Sequence, residues 1–334
     1  LKEQGYHVIG ATMRLWTYSD SCNMKHEGCC AESAVEDARR VCDKLGIDFY
    51  VMNFKDMFKD KVVDYFVDEY IHGRTPNPCI ACNKYLKFDA LLKKALAMGI
   101  DYVATGHYAK IEKGEDGKYI LRASEAVKKD QSYVLYNFTQ EQLAHTLMPL
   151  GGYNKDWVRQ KAEELGLGVA HKPDSQEICF VEDDDYAKFI TDYSGYEPKE
   201  GDILDVNGNV IGKHRGLIYY TIGQRKGIGA YGRPMFVMKI DAENNTITLG
   251  EKGMEFSNEL TAYDVNFVSG EFPKENMLIT AKVRYQAPPA EAMLCPQKDG
   301  TVKLMFPEPQ RAVTPGQAVV FYDGDIVLGG GTVL

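Results

Sequence analysis

No run of about 18 apolar residues occurs anywhere in the 334-residue chain, so nothing in it reads as a membrane-spanning helix. The opening residues, LKEQGYHVIG, lack the basic-then-apolar layout of a secretory leader. Positive charge is in short supply. Lys and Arg total 39 against 48 Asp and Glu, a net charge of −9. That balance argues against a uniformly basic nucleic-acid binder, while a local basic face stays open. Internal repeats and low-complexity tracts are absent. Cysteine is not scarce. Eight cysteines in a long chain without a leader point to a reducing, cytoplasmic compartment and to chemical use of the thiols. At roughly 150 residues per domain, two domains or three small ones are expected.

The first half alternates apolar strands and amphipathic helices. Strand-like runs are Tyr6–Met13, Asp48–Phe54 and Asp101–His107. Helical spacing marks Ala31–Leu45, Phe58–Ile71, Lys84–Ala97, Gln140–Leu147 and Lys155–Leu165. This alternation predicts a doubly wound α/β sheet. The first five residues, LKEQG, read as the last turn of a helix closed by Gly5. A further strand, a loop and most of a helix are therefore expected to precede Leu1. From about Gly201 the character changes to short strands with Gly, Asn and Pro turns. DVNGNVIGKH reads as a hairpin on Asn-Gly, and FYDGDIVL carries an Asp-Gly turn.

The segment TPNPCIACNK, Thr75–Lys84, holds a C-x-x-C pair, Cys79 and Cys82. Three chemistries compete for it. A zinc clip needs two more ligands, and Cys22, Cys29, Cys30 and His26 form the other dense cluster. A thioredoxin-type pair belongs at a strand-to-helix turn, whereas the flank here is Thr-Pro-Asn-Pro, a stiff loop. The third chemistry is a reactive thiol. Cys82 directly precedes a helical pattern containing Lys84 and Lys87, and both dipole and cations favour a thiolate there. Cys179, in HKPDSQEICFVEDDDY, is the candidate partner, with the alternative that Ile178-Cys179-Phe180 is simply core.

Eight segments in order carry a resemblance: GATMRLW, GRTPNPCIACNKYLKF, DYVATGHYA, KKDQSYVLY, DSQEICF, GLIYYTIGQRKGIG, KVRYQAPP and TPGQAVVFYDGDIVLGGG. Together they closely resemble the tRNA-specific 2-thiouridylase family across essentially the whole chain. The resemblance implies a Rossmann-like α/β PP-loop domain of the adenine nucleotide α-hydrolase type, with a parallel sheet. A small central domain and a C-terminal β-barrel would follow, at about 1–182, 183–254 and 255–334. It also implies a reaction. ATP, with Mg2+, adenylates the C2 oxygen of the wobble uridine in a tRNA anticodon stem-loop, and a cysteine persulfide then delivers sulfur to C2. By position, Cys179 matches the persulfide carrier and Cys82 the second catalytic cysteine, and turnover would end in a Cys82–Cys179 disulfide. A cysteine desulfurase or a sulfur-relay protein would be the donor.

The resemblance extends to binding residues. Met13 and Gly106 match adenine-nucleotide contacts, and Asn77, Pro78 and Cys79 match the segment at the target base. Cys79 departs from a version of the pattern that has Asp there, so no acid–base role transfers. The extra thiol raises an iron–sulfur cluster on Cys79, Cys82 and Cys179 as a further expectation. His107, Lys129, Asp130, Gln131, Arg284, Tyr285 and Gln317 match tRNA contacts. Independently, Gly212–Met235 holds no Asp or Glu but has Lys213, Arg215, Arg225, Lys226 and Arg233, interleaved with Tyr. Such a segment suits phosphate contacts and stacking, or else is a solvated hairpin.

The Ser-Gly-Gly-x-Asp-Ser-type phosphate loop of PP-loop enzymes does not occur in the chain, and LGGG near the C-terminus falls in the wrong domain. The sequence therefore predicts weak or absent turnover for the chain as it stands. Two other readings are a non-catalytic or iron–sulfur-dependent tRNA-binding relative, and another PP-loop enzyme such as a 4-thiouridine synthetase or an amide-forming ligase. The paired cysteines and the barrel disfavour the ligase.

Overall fold

The computed structural model describes residues 1–16, 32–126, 129–172, 178–181 and 184–334. Cys22, His26, Cys29 and Cys30 lie outside the described residues, as do 173–177 of the segment leading to Cys179.

The first part is α/β, as its alternation predicts. Strand β1 (Gly10–Arg14) pairs in parallel with β2 (Phe49–Asn53), and helix α1 (Glu32–Leu45) connects them. At Gly10 an added Cβ would stand 2.3 Å from Cys42 Sγ, so only glycine lets α1 lie this close to the strand. Helix α2 covers residues 55–71 and helix α3 residues 78–97, each with a π-wound middle, Lys59–Asp64 and Cys82–Ala90. In α2, Phe58, Val62, Val63, Phe66, Val67 and Tyr70 form one buried stripe. They pack with Leu15, Met52, Phe54, Leu86 and Phe180.

The third predicted strand is shorter than expected. Only Val103–Ala104 (β3) pairs, in parallel, with Thr146–Leu147 (β6). Between them lies a hairpin absent from the sequence expectation, β4 (Ala109–Lys113) and β5 (Tyr119–Ala123). Helix α4 (Gln140–Ala144) ends before the expected Leu147, because His145 leaves helical geometry and the chain turns into β6. Helices α5 (Lys155–Glu164) and α6 (Tyr186–Ser194) follow.

The central part is a four-stranded sheet. Strands β7 (Gly201–Leu204), β8 (Val210–His214), β9 (Met235–Asp241) and β10 (Thr246–Glu251) stand in the order β8-β7-β10-β9. The Asn-Gly hairpin appears as expected: Asp205 receives the N–H groups of Asn207 and Asn209, and Gly208 has φ +86°. The last part is a closed six-stranded barrel. It comprises β11 (Phe256–Phe267), β12 (Met277–Lys282), β13 (Ala290–Pro296), β14 (Val302–Arg311), β15 (Ala318–Asp323) and β16 (Ile326–Val333). Pairing runs β11-β14-β13-β12-β15-β16, and β11 with β16 closes the ring.

Strand β15 welds the barrel to the α/β part. Its residues alternate between two cores. Val319 and Phe321 face the barrel interior, while Ala318, Val320 and Tyr322 pack with Phe88, Tyr133, Leu135 and Tyr136 of the first part. A strand buried on both faces explains why AVVFY is apolar without interruption. The hairpin β4–β5 adds to the same sheet through Ile326 and Arg122. The LGGG run is part of this contact. A Cβ on Gly330 would lie 2.6 Å from Val319 O and 2.7 Å from the Tyr136 ring.

Candidate active site

Helix α3 starts at Pro78, six residues earlier than the sequence suggests. Asn77 Oδ1 accepts the N–H groups of Cys79 at 3.1 Å and Ile80 at 3.4 Å, which makes it the N-cap. Pro78 takes the first helical position, where its missing N–H costs nothing. The stiff-loop reading of Thr-Pro-Asn-Pro is thus corrected: the second half of that motif is a helix start. Cys79 is exposed in the first turn. Cys82 sits one turn further in and is 8 % exposed. The helix dipole acts most on the first turn, so it favours Cys79 and not Cys82. The two expected cations have other partners as well. Lys84 pairs with Asp264 of the barrel at 2.6 Å, and Lys87 acts on His107.

Cys82 belongs to the aromatic core of the first part, and Cys179 packs against that same core. Phe180 positions Cys179. Its ring is 1 % exposed and lies edge-on to Phe66 at 5.3 Å and to Phe58 at 5.7 Å. The two cysteines, 97 positions apart in sequence (179 − 82), therefore meet one cluster. The iron–sulfur ligand set is not supported. Among the described residues no group of three or more His, Cys, Asp or Glu is placed to hold a metal ion. Cys79 instead acts electrostatically on Tyr285.

The barrel reaches the N-terminus of α3 at two places. Gln317 Nε2 donates to Thr75 O at 2.7 Å, and Thr75 N donates to Pro315 O at 2.9 Å. Gly316 between them has φ +86°, and a Cβ there would meet Arg74 Cβ and Thr75 N at 3.0 Å. Arg74 is itself fixed, with Nε bridging both oxygens of buried Glu69 at 3.0 and 2.9 Å. At the second place Tyr285 donates its hydroxyl to Asp130 O at 3.0 Å and packs edge-on against Tyr133. Burial first, then Asp130 and Cys79, push the Tyr285 phenol up. Lys282 lies 5.9 Å from the Tyr133 ring and 5.8 Å from that of Tyr285. Sequence reading missed it, although AKVRY places it two residues before Arg284. Burial lowers the Lys282 ammonium, and Asp130 opposes that shift.

The segment at 129–131 is pinned from within. Asp130 accepts Ser124 N at 2.9 Å and Ser132 Oγ at 2.7 Å. Gln131 exchanges two hydrogen bonds with the Tyr108 backbone, and that ties it to the neighbouring His107. His107 Nδ1 lies 2.9 Å from Thr105 Oγ1, and its ring rests on Phe88. Desolvation, helped by Lys87, pushes its pKa down to about 3, so the imidazole is neutral at physiological pH. Asp130, Gln131, Tyr285 and Cys79 are thus brought to one surface, with Lys129 and Arg284 beside their partners in sequence. Met13 and Gly106 are not joined in this way. Met13 is the penultimate residue of β1 and packs against the first core, while Gly106 follows β3 in a different sheet piece. Both stand near the C-terminal ends of parallel strands, where open α/β sheets bind ligands.

In the basic segment, Lys213 pairs with Asp202 at 2.6 Å, Arg233 with Glu251 at 2.6 Å, and Arg215 lies over the Tyr219 ring at 4.0 Å. Tyr220 is buried in the central core, with Tyr219 and Tyr231 packed against it. These rings serve packing rather than an open stacking platform.

An α/β domain followed by a small β-domain and a closed six-stranded barrel, with two thiols packed at one core, defines a three-part α/β-plus-barrel class. Profile comparison agrees with that class. Residues 1–183 match the tRNA methyl transferase HUP domain, 187–251 the tRNA methyl transferase PRC-barrel domain and 257–333 the aminomethyltransferase beta-barrel domain. The tRNA-specific 2-thiouridylase MnmA of Acetivibrio thermocellus is 58 % identical over 336 aligned positions, covering 100 % of this chain and 94 % of that protein. The MnmA of Clostridioides difficile strain 630 is 57 % identical, with 100 % and 92 % covered. The chain belongs to the tRNA-specific 2-thiouridylase family.

Proposed function

We propose that this protein is an ATP-dependent tRNA uridine 2-sulfurtransferase that converts the wobble uridine to 2-thiouridine, with AMP and pyrophosphate as co-products. The observation that carries the reading is the meeting of Cys82 and Cys179 at one buried cluster, beside a surface built from residues 129–131 and the barrel. A methyl transferase needs no such thiol pair, so the thiols favour sulfur chemistry over methyl transfer. ATP converts the C2 oxygen into a leaving group. The terminal sulfur of a Cys179 persulfide attacks C2, and the C–O bond to AMP breaks. The Cys82 thiolate then attacks the Cys179 sulfur. A Cys82–Cys179 disulfide forms, the electron pair stays on the released 2-thiouridine sulfur, and an external thiol restores the pair. Burial of Cys82 supports this order, because the thiol stays out of solvent until Cys179 carries its sulfur in.

Met13 and Gly106 are the residues assigned to the adenine nucleotide, and Mg2+ would accompany it. Asn77, Pro78 and Cys79 face the target base in this reading, with Asn77 Oδ1 spent on the cap and its Nδ2 left to donate. His107, Lys129, Asp130, Gln131, Arg284, Tyr285 and Gln317 are assigned to the tRNA. The geometry supports a positioning role for Asp130, Gln131 and Gln317, whose side chains hold backbone. The sulfur donor is assigned to a cysteine desulfurase or a relay protein, and the compartment to the cytoplasm. Among the described residues no helix is long and apolar enough to cross a membrane.

Nucleoside mass spectrometry of tRNA from cells lacking the native activity tests the proposal. Expression of the full-length protein restores wobble 2-thiouridine, and Cys82→Ser or Cys179→Ser in it abolishes the modification. Unchanged 2-thiouridine with the intact protein would reject the function.

A further inference from the structure

Of the five cations in the acid-free segment Gly212–Met235, three are committed to partners, as described above. Arg225 and Lys226 are exposed, and among the described residues neither has an ion pair. They occupy a loop that is rigid by construction. Gln224 locks it: Oε1 accepts Thr221 N at 2.9 Å, while Nε2 donates to Tyr219 O at 3.2 Å and to Lys226 O at 2.8 Å. Gly223 N donates to Val237 O and Val237 N to Gln224 O, which sews the loop to β9. Gly223 at φ +81° and Gly227 at φ +76° supply the left-handed turns on either side of the two cations. The backbone N–H groups of residues 225–227 make no hydrogen bond within the described residues. Two exposed cationic side chains and three amides without a hydrogen bond among the described residues therefore share one short loop.

The loop lies where three parts of the chain meet. Thr221 Oγ1 is 3.4 Å from Thr75 Oγ1, two residues before the cap of α3. On the other side, a Cβ on Gly223 would stand 2.6 Å from Ala312 Cβ of the barrel. The other cations at this junction are neutralised. Arg74 is held by Glu69, and Arg311 Nε by buried Glu255 at 3.2 Å. Among the described residues Arg225 and Lys226, on the loop that follows Thr221, have no ion pair. Holding two cations on a locked loop without a carboxylate gives the fold nothing internally, whereas a polyanion docked there gains from both.

We propose that Arg225 and Lys226 form a phosphate clamp that grips the RNA backbone next to the target uridine and fixes the register of the base against Asn77 and Cys82. The inference rests on the tRNA-modifying reading above and deepens it. The clamp is a positioning device. It touches phosphate rather than the reacting atoms, and it couples the central sheet to the catalytic helix.

The test is tRNA binding by the full chain across a salt series, with Arg225→Gln, Lys226→Gln and the double variant. Each lost contact lowers the slope of log K against log salt by about 0.7 to 0.9. The double variant weakens binding at low salt roughly ten- to hundred-fold, as expected for two solvent-exposed ion contacts. Arg225→Lys keeps the slope of the intact protein. The same losses appear with the isolated anticodon stem-loop as probe, because the contact lies near the wobble base. Equal slopes and affinities in all variants would overturn the clamp while leaving the function standing. Losses seen with whole tRNA but not with the stem-loop would overturn its placement. Failure of the intact protein to bind any tRNA would overturn the functional reading, and the clamp with it.

Discussion

Acidification is expected to destabilise this protein through His107 well before its carboxylates begin to protonate. The imidazole titrates near 6.5 in an unfolded chain and at about 3 in the folded one, because burial against Phe88 and the nearby Lys87 disfavour its charged form. The unfolded state thus binds the proton more tightly. Stability from this group is fully present above about pH 6.5 and is lost as pH falls towards the folded pKa. The linkage relation gives a cost of about 0.8 kcal/mol at pH 6 and about 2 kcal/mol at pH 5, relative to neutral pH. Denaturant titrations at pH 7, 6 and 5 measure it, with His107→Gln as reference. Asp241, whose carboxyl is held at about 2 mainly by Lys239, contributes equally to both proteins and cancels in the difference. The double difference between pH 7 and pH 5 should approach 2 kcal/mol. Parallel pH profiles for the two proteins would refute the half-buried, neutral imidazole. A neutral His107 also means that any hydrogen bond it gives to RNA is independent of pH across the physiological range.

Three further outcomes follow from the contacts between barrel and helix. Gly316→Ala places a methyl 3.0 Å from Arg74 and Thr75 in a left-handed backbone position, so it should cost at least about 1–2 kcal/mol and lower kcat/KM together with Tm. An unchanged Tm would contradict the packing. Arg74→Ala leaves the Glu69 carboxylate buried without its bidentate partner, a loss of about 3 kcal/mol, whereas Glu69→Gln keeps a hydrogen bond and should cost less. Equal Tm shifts for the two variants would argue against the pairing. Asp130→Ala removes the acceptor for Ser124 N and Ser132 Oγ, so amide exchange across 124–132 should accelerate while the barrel stays protected. Uniform protection would show that Asp130 does not hold the loop.

Much of the fold can be read locally. The stripe in α2, the strands β1 and β2 and the Asn-Gly hairpin follow from spacing and turn chemistry alone. The beginning of α3 did not, because Pro-Asn-Pro looks like a breaker, whereas Asn-Pro is also a cap followed by the first helical residue. That single boundary moved the dipole argument from Cys82 to Cys79. The run AVVFY signalled burial on both faces without saying what lay on the second face, and hairpin β4–β5 gave no hint that it extends a barrel sheet 200 residues away. The candidate site was legible as residue types but not as contacts. Gln317 to Thr75 spans 242 positions and Tyr285 to Asp130 spans 155, and no local pattern encodes such pairings. Lys282 and Gly316 escaped for the same reason.

The most direct test of the central claim is peptide mass spectrometry after a single turnover with persulfide-loaded full-length protein, ATP and tRNA, in the absence of reductant. A peptide linking Cys82 to Cys179 should appear in proportion to the 2-thiouridine formed. Thiolated tRNA accompanied by a Cys79–Cys82 link, or by no link at all, would contradict the assignment of Cys82 and Cys179 as the working pair.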